Sequence, residues 1–191
     1  MKMRLEPIPA DKLGEDNRAL DARIRAVVDR GLPGFTSVDE DGALLGPFPA
    51  FLHFPKFGEP LFGWSEALFT DSALTPRVRE VVILTIGARL NAAFELYAHS
   101  RVGRSVGLPA TAVADLVVGQ RPVELSREEL VAHDVATALY QGRPLPGENY
   151  AEAVAAFGET GVAELVHLAA HYVAISMLLN AYTVPVPPDG I

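Results

Sequence analysis

Cysteine is absent from all 191 residues. That removes disulfide scaffolds, thiolate metal sites, iron–sulfur clusters and every peroxidase or hydrolase mechanism that runs on a thiolate. Excess positive charge is missing too: 16 Lys and Arg stand against 24 Asp and Glu, a formal net charge of −8. Phosphate contacts need clustered Lys and Arg, so neither nucleic acid nor an anionic membrane surface is expected as a partner. Period-2 alternation is nowhere sustained, which argues against a sheet. No G-x-S-x-G elbow, P-loop or G-x-G-x-x-G occurs, so serine-hydrolase and nucleotide-binding signatures are lacking. What is there is a chain with 49% hydrophobic and 21% charged residues, which excludes disorder and suits one domain.

The N-terminal segment Met1–Ala10 has basic residues but no apolar core, so no secretory leader is expected and the reading is cytoplasmic. Residues 165–188 carry no Asp, Glu, Lys or Arg, yet His167, His171, Ser176 and Asn180 interrupt them and prolines end them. A buried core helix is expected there rather than a membrane span. Helical periodicity marks 16–30, stopped by Gly31-Leu-Pro-Gly34, then a turn near 50–54 and a helix over 60–70. Thr75-Pro76 is a helix start, Asn91 a cap for 92–106, and a short helix covers 109–118. Ser126-Arg-Glu-Glu129 forms a capping box before 127–140, and Asn149-Tyr-Ala-Glu152 repeats that logic before 153–157. Thr160 opens a long apolar helix to about Tyr182. The fold class is all-α, a single-domain helical bundle over 1–191.

Chemistry concentrates between Arg77 and Arg104, where five arginines meet only Glu80 and Glu95, while 110–170 holds nine acids and three arginines. Arginine grips carboxylates in a bidentate fork, so an anionic small molecule fits this stretch; surface ion pairing is the plainer alternative. Glu95-Leu-Tyr-Ala-His99 puts a carboxylate and an imidazole one turn apart on a helix, a pair suited to proton transfer. Tyr97 points away from that edge and is expected to pack. His167 and His171 form a second i, i+4 pair, with Glu164 as a conceivable third metal ligand, but histidines on an apolar face are usually satisfied internally and no metal is expected.

The run Thr75-Pro-Arg-Val-Arg-Glu-Val-Val-Ile-Leu-Thr-Ile-Gly-Ala-Arg-Leu-Asn-Ala-Ala-Phe-Glu-Leu-Tyr-Ala-His99 resembles the core of the carboxymuconolactone decarboxylase family and the related AhpD-like alkylhydroperoxidases. The resemblance takes in Arg101–Leu108, Gly46–Pro55, Gly161–Val166 and Leu179–Pro187, so 41–185 reads as the family core and 1–40 as a helical extension. It implies an all-helical subunit that self-associates as a trimer, hexamer or larger ring. The peroxidase branch uses a Cys-x-x-Cys pair, a following histidine and an upstream glutamate. On this sequence the glutamate falls at Glu80 and the histidine at His99, whereas the cysteine positions hold Ala92 and Glu95. The Glu-x-x-x-His form looks like the decarboxylase-type branch, whose members act on a carboxylated γ-lactone, and it implies no cofactor. The expected roles are His99 as principal acid/base, Glu95 orienting it, and Glu80 as second proton carrier or orienting group. Arg79 or Arg77 is expected to hold a substrate carboxylate, with His53 and His171 as further pocket contacts. A hydroperoxidase and a non-catalytic oligomeric binding protein are the competing readings. The first lacks its thiols, and the second requires the polar cluster to be splayed on solvent or consumed in ion pairs.

Overall fold

A computed structural model describes residues 3–31 and 34–188. Leu32 and Pro33 of the expected helix stop, and Met1 and Lys2, lie outside the described residues. A 3-10 turn at Ala10–Lys12 precedes eight helices: α1 (Glu15–Gly31), α2 (Phe48–His53), α3 (Pro55–Phe69), α4 (Pro76–Arg89), α5 (Ala93–Ser105), α6 (Ala110–Val117), α7 (Arg127–Tyr140) and α8 (Gly147–Ala181). Among the described residues the one extended feature is an isolated bridge between Val38 and Leu44. The fold is all-α, as expected.

Local chemistry explains where the helices begin. Thr75 accepts the Val78 N–H at 3.3 Å and Pro76 fills the first helical position. Ser126 and Glu129 make both hydrogen bonds of the capping box. Two expected caps fail. Asn91 is not the cap of α5; it takes a left-handed conformation (φ 50°) between α4 and α5, and Ala92 is the cap. Asn149 lies inside α8, which starts earlier behind Pro146. The break expected between 157 and 160 is present as a kink at Gly158 (φ 68°, ψ 174°) within α8.

α4 is the hub. Its residues Val78 and Glu80 through Gly87 are all buried, and it packs against α5, α6, α7 and α8. On one side Val82, Ile83 and Ile86 join Ala132, Val135, Leu165 and Leu168 in a core shared with α7 and α8. On another, Val81 and Leu84 meet α6 through Val113 and Leu116. α8 is long and apolar enough to cross a membrane, yet half of its apolar stretch is buried within this core.

A third core joins α1 to the rest: Leu20, Ile24 and Val28 pack with Phe51, Phe62, Phe94 and Tyr97. Tyr97 is fully buried and its hydroxyl accepts the Thr36 N–H at 2.9 Å. Leu20, Ile24 and Val28 of α1 thus take part in the core. The α2–α3 corner closes tightly over Gly58, where a Cβ would lie 2.4 Å from the Phe51 carbonyl oxygen. Gly58→Ala is expected to cost about 1–3 kcal/mol, as overpacking does. A thermal melt should show a Tm several degrees lower; an unchanged Tm would contradict this close approach.

Candidate functional site

α4 and α5 form an antiparallel hairpin whose turn is pinned by Asn180, its Nδ2 donating to the Leu90 carbonyl at 2.8 Å. Gly87 lets the two helices approach: a Cβ there would lie 3.3 Å from Glu95 Cβ and 3.4 Å from Leu96 Cδ2. Across this seam stand Glu80 from α4 and Glu95 and His99 from α5, exposed by only 3%, 4% and 6%. His99 Nδ1–H donates to Glu80 Oε2 at 2.8 Å. His99 Nε2 is 3.4 Å from Glu95 Oε2, which has no hydrogen-bond partner. Of the two carboxylates expected to orient His99, Glu80, from the neighbouring helix, makes the hydrogen bond.

Burial and charge oppose each other here. Burial alone pushes the His99 imidazolium down, but the charge and hydrogen bond of Glu80 and the charge of Glu95 outweigh it and lift its pKa to about 9. Burial raises Glu95 to about 7; the His99 charge resists this and the Glu80 charge adds to it. At neutral pH His99 is therefore an imidazolium hydrogen-bonded to Glu80, and Glu95 is divided between acid and carboxylate. Burial first, then Glu95 and Glu80, raise the Tyr172 phenol, so it stays neutral.

The three groups line a cavity of about 320 Å³, the lower end of the range for small-ligand sites. Most of its wall is apolar: Val27 and Val28 of α1, Phe35, and phenylalanines of α2 and α3. Arg79 adjoins the cluster, with its guanidinium 5.2 Å over the Phe69 ring, Nη1 donating to the Leu74 carbonyl and Nε buried without a partner. His171 stands in the α8 wall, its Nε2 2.8 Å from Ser65 Oγ and its ring edge-on to Trp64 and Tyr172. Tyr172 in turn packs edge-on against His99 at 5.2 Å. Burial lowers His171 to about 4, so it is a neutral hydrogen-bonding group at pH 7.

Two expected contacts fall elsewhere. Arg77 is outside the cavity, in a bidentate pair with Glu129 at 2.6 and 3.2 Å. Residues two apart on a helix diverge by about 200°, so Arg77 and Arg79 leave α4 in different directions, and Arg77 is taken up by α7. His53, the last residue of α2, is exposed and donates to the Glu6 carbonyl at 2.9 Å rather than folding over the pocket. His167 is exposed against Trp64, and Glu164 accepts from the Ala73 N–H and Ser72 Oγ–H. Among the described residues no three His, Asp or Glu side chains gather as a metal-binding group. Spacing missed Ser65 and Tyr172; the only hint was their place on helices bearing Trp64 and His171. Chemically the site holds a cation at His99, a carboxyl balanced between its two forms and a separate guanidinium, all facing an apolar chamber.

No family model and no curated protein sequence matches the chain. Solved structures do. An uncharacterized peroxidase-related protein from Ralstonia eutropha JMP134, an alkylhydroperoxidase AhpD core, superposes with a TM-score of 0.79 at 16% identity over 99% of this chain and 95% of its own. A peroxidase-related protein from Silicibacter sp. TM1040 gives 0.77 at 13% identity over 98% and 93%. A cysteine-to-alanine variant of the debrominase Bmp8, in complex with 2,3,4-tribromopyrrole, gives 0.76 at 13% identity over 98% and 94%. The chain has the AhpD-like fold.

Proposed function

We propose that this AhpD-like chain is a thiol-free acid/base enzyme of the carboxymuconolactone decarboxylase type, a lyase or isomerase that moves a proton on a small carboxylated or lactone-like metabolite. One observation carries the reading: Glu80, Glu95 and His99 converge, buried, on one wall of an apolar cavity. A binding scaffold has no use for a carboxyl raised to about 7 beside a buried imidazolium, whereas proton transfer at neutral pH needs such a group. The debrominase supports enzymatic use of this fold, and its ligand is a small ring. Peroxide reduction on a disulfide pair is closed to a chain without cysteine.

In this mechanism Glu80 is a positioning residue. It holds the imidazolium through Nδ1, leaving Nε2–H to donate to the carbonyl oxygen of the substrate as negative charge builds there. Glu95 exchanges a proton with the carbon next to that carbonyl. In isomerisation the Glu95 carboxylate takes the proton and returns it at another carbon. In decarboxylation the C–CO₂ bond breaks, its electron pair enters the enolate, and the Glu95 carboxylic acid protonates the carbon. Both routes use the same atoms. Self-association as a trimer, hexamer or other ring belongs to the same proposal and is supported by apolar side chains left exposed, such as Phe57 and Met177.

The test needs no knowledge of the natural substrate. A panel of small γ-lactone acids incubated with the protein in D₂O should show deuterium entering next to the carbonyl, read by proton NMR. His99→Gln should slow that exchange by about 10²–10⁴-fold. Unimpaired exchange in the variant would overturn the assignment.

A further inference from the structure

We propose that the cavity selects a single-ring monocarboxylate, with Arg79 as its counterion, and that taking up this anion draws a proton onto Glu95; the inference rests on the acid/base reading above and names its substrate class. The argument is a charge count. Among the described residues, the charged groups on the cavity wall are Arg79 and Glu80 of α4 and Glu95 and His99 of α5. α8 adds only His171 and Tyr172 as titratable groups; α1, α2, α3 and the 34–47 loop add none. Glu80 and His99 satisfy each other at 2.8 Å. What remains is Arg79 against Glu95.

Arg79 has no carboxylate within ion-pair distance, in contrast to Arg77 with Glu129 and Arg25 with Asp21. Its fixed contacts are a backbone carbonyl and the face of Phe69, neither of which cancels its charge. An incoming carboxylate supplies the missing counterion through charge-assisted hydrogen bonds. It also brings a second negative charge into the apolar cavity that Glu95 lines. Like charges in one site raise the pKa of the carboxyl group, and Glu95, already near 7, responds by taking up a proton, which favours the decarboxylation route over isomerisation.

The opposite polar feature fixes the number of charges allowed. Ser65 and His171 are hydrogen-bonded to each other, and the buried imidazole is neutral at pH 7. They offer neutral hydrogen-bonding groups, suited to a hydroxyl, a carbonyl or a ring N–H, and no fixed cation to match Arg79 for a second carboxylate. A dianion would be desolvated without a partner and rejected. The volume of about 320 Å³ and the aromatic wall suit one ring.

Isothermal titration calorimetry on the full chain near pH 7 tests this with benzoate, benzamide and isophthalate as probes. Benzoate should bind at least about tenfold more tightly than either of the others. Its heat should differ between two buffers of different ionisation enthalpy, in the sense of proton uptake, and its affinity should fall between about pH 6 and 8. Arg79→Gln should erase the preference for benzoate over benzamide, Arg79→Lys should keep most of it, and Glu95→Gln should keep the preference but abolish the buffer dependence. Benzamide or isophthalate binding as tightly as benzoate, or none of the three binding, would overturn the ligand class. Buffer-independent heats in the wild-type chain would overturn the coupling. The wild-type series decides the matter even if an Arg79 variant fails to fold. Because no turnover is read, these outcomes are separate from those of the deuterium exchange, which judge the acid/base reading.

Discussion

Glu95→Gln is expected to lower proton exchange on a substrate by about 10²–10⁴-fold and, in the same variant, to raise the Tm above pH 7. The first effect follows from role: an amide cannot give or take the proton. The second follows from linkage. The folded chain holds Glu95 at about 7 against an ordinary 4.5, so it keeps a proton that the unfolded chain has released. Stability therefore falls as pH rises from about 4.5 to about 7, and above 7 the full cost of burying the carboxylate is present. Gln mimics the neutral acid and removes that cost, a gain on the order of 1–3 kcal/mol at pH 8. Activity and stability moving in opposite directions is the mark of a group kept for chemistry rather than for folding. A variant that is both active and no more stable would refute the role and the buried-carboxylate argument together. The measurements are deuterium incorporation and melts at about pH 6 and pH 8.

The contrast between what spacing reveals and what it hides is visible in these residues. Helix starts at Thr75 and Ser126 were legible because each is a local exchange of hydrogen bonds within four residues. A break between 157 and Thr160 is legible too, and the structure puts it at Gly158, whose positive φ suits glycine. Asn91 and Asn149 misled because asparagine is also favoured in turns and tolerated inside helices, and the cap was decided by Ala92 and Pro146 instead. At the site, Glu80, Glu95, His99, Arg79 and His171 reach one cavity, whereas Arg77 and His53 do not. Helical phase does not separate Arg77, which lies three residues and about 60° from Glu80; its pairing with Glu129 of α7, a tertiary contact, does. His53 is hidden in the same way, because its direction depends on how α2 meets α3, a contact set by the long-range packing of Phe51 and Gly58. Ser65, Tyr172 and the α1 valines have no polar motif to announce them; only tertiary packing brings them to the cavity.

The remaining large effect concerns Glu80. Glu80→Gln keeps an oxygen for His99 Nδ1–H but deletes the charge that outweighs burial. The His99 pKa should drop by about 1–3 units from its value near 9. Nitrogen-15 NMR of the labelled ring would follow this titration directly. The stability profile must change with it. In the wild-type chain His99 binds its proton more tightly than in the unfolded state, where the ring titrates near 6.5. Its contribution is complete below about 6.5 and is lost as pH rises through about 9, a change on the order of 3 kcal/mol. His171 works in the other sense: held at about 4, it contributes above 6.5 and is lost as pH falls towards 4. Between 4.5 and 6.5 it therefore offsets Glu95, so the net decline from these groups belongs to the range from 6.5 to 9. Glu80→Gln should flatten that decline and, with fewer imidazolium rings at neutral pH, reduce exchange by roughly 10–100-fold, less than loss of Glu95 itself. An unchanged His99 titration would mean that Glu95, not Glu80, holds the proton on the ring against burial, and would remove Glu80 from its positioning role.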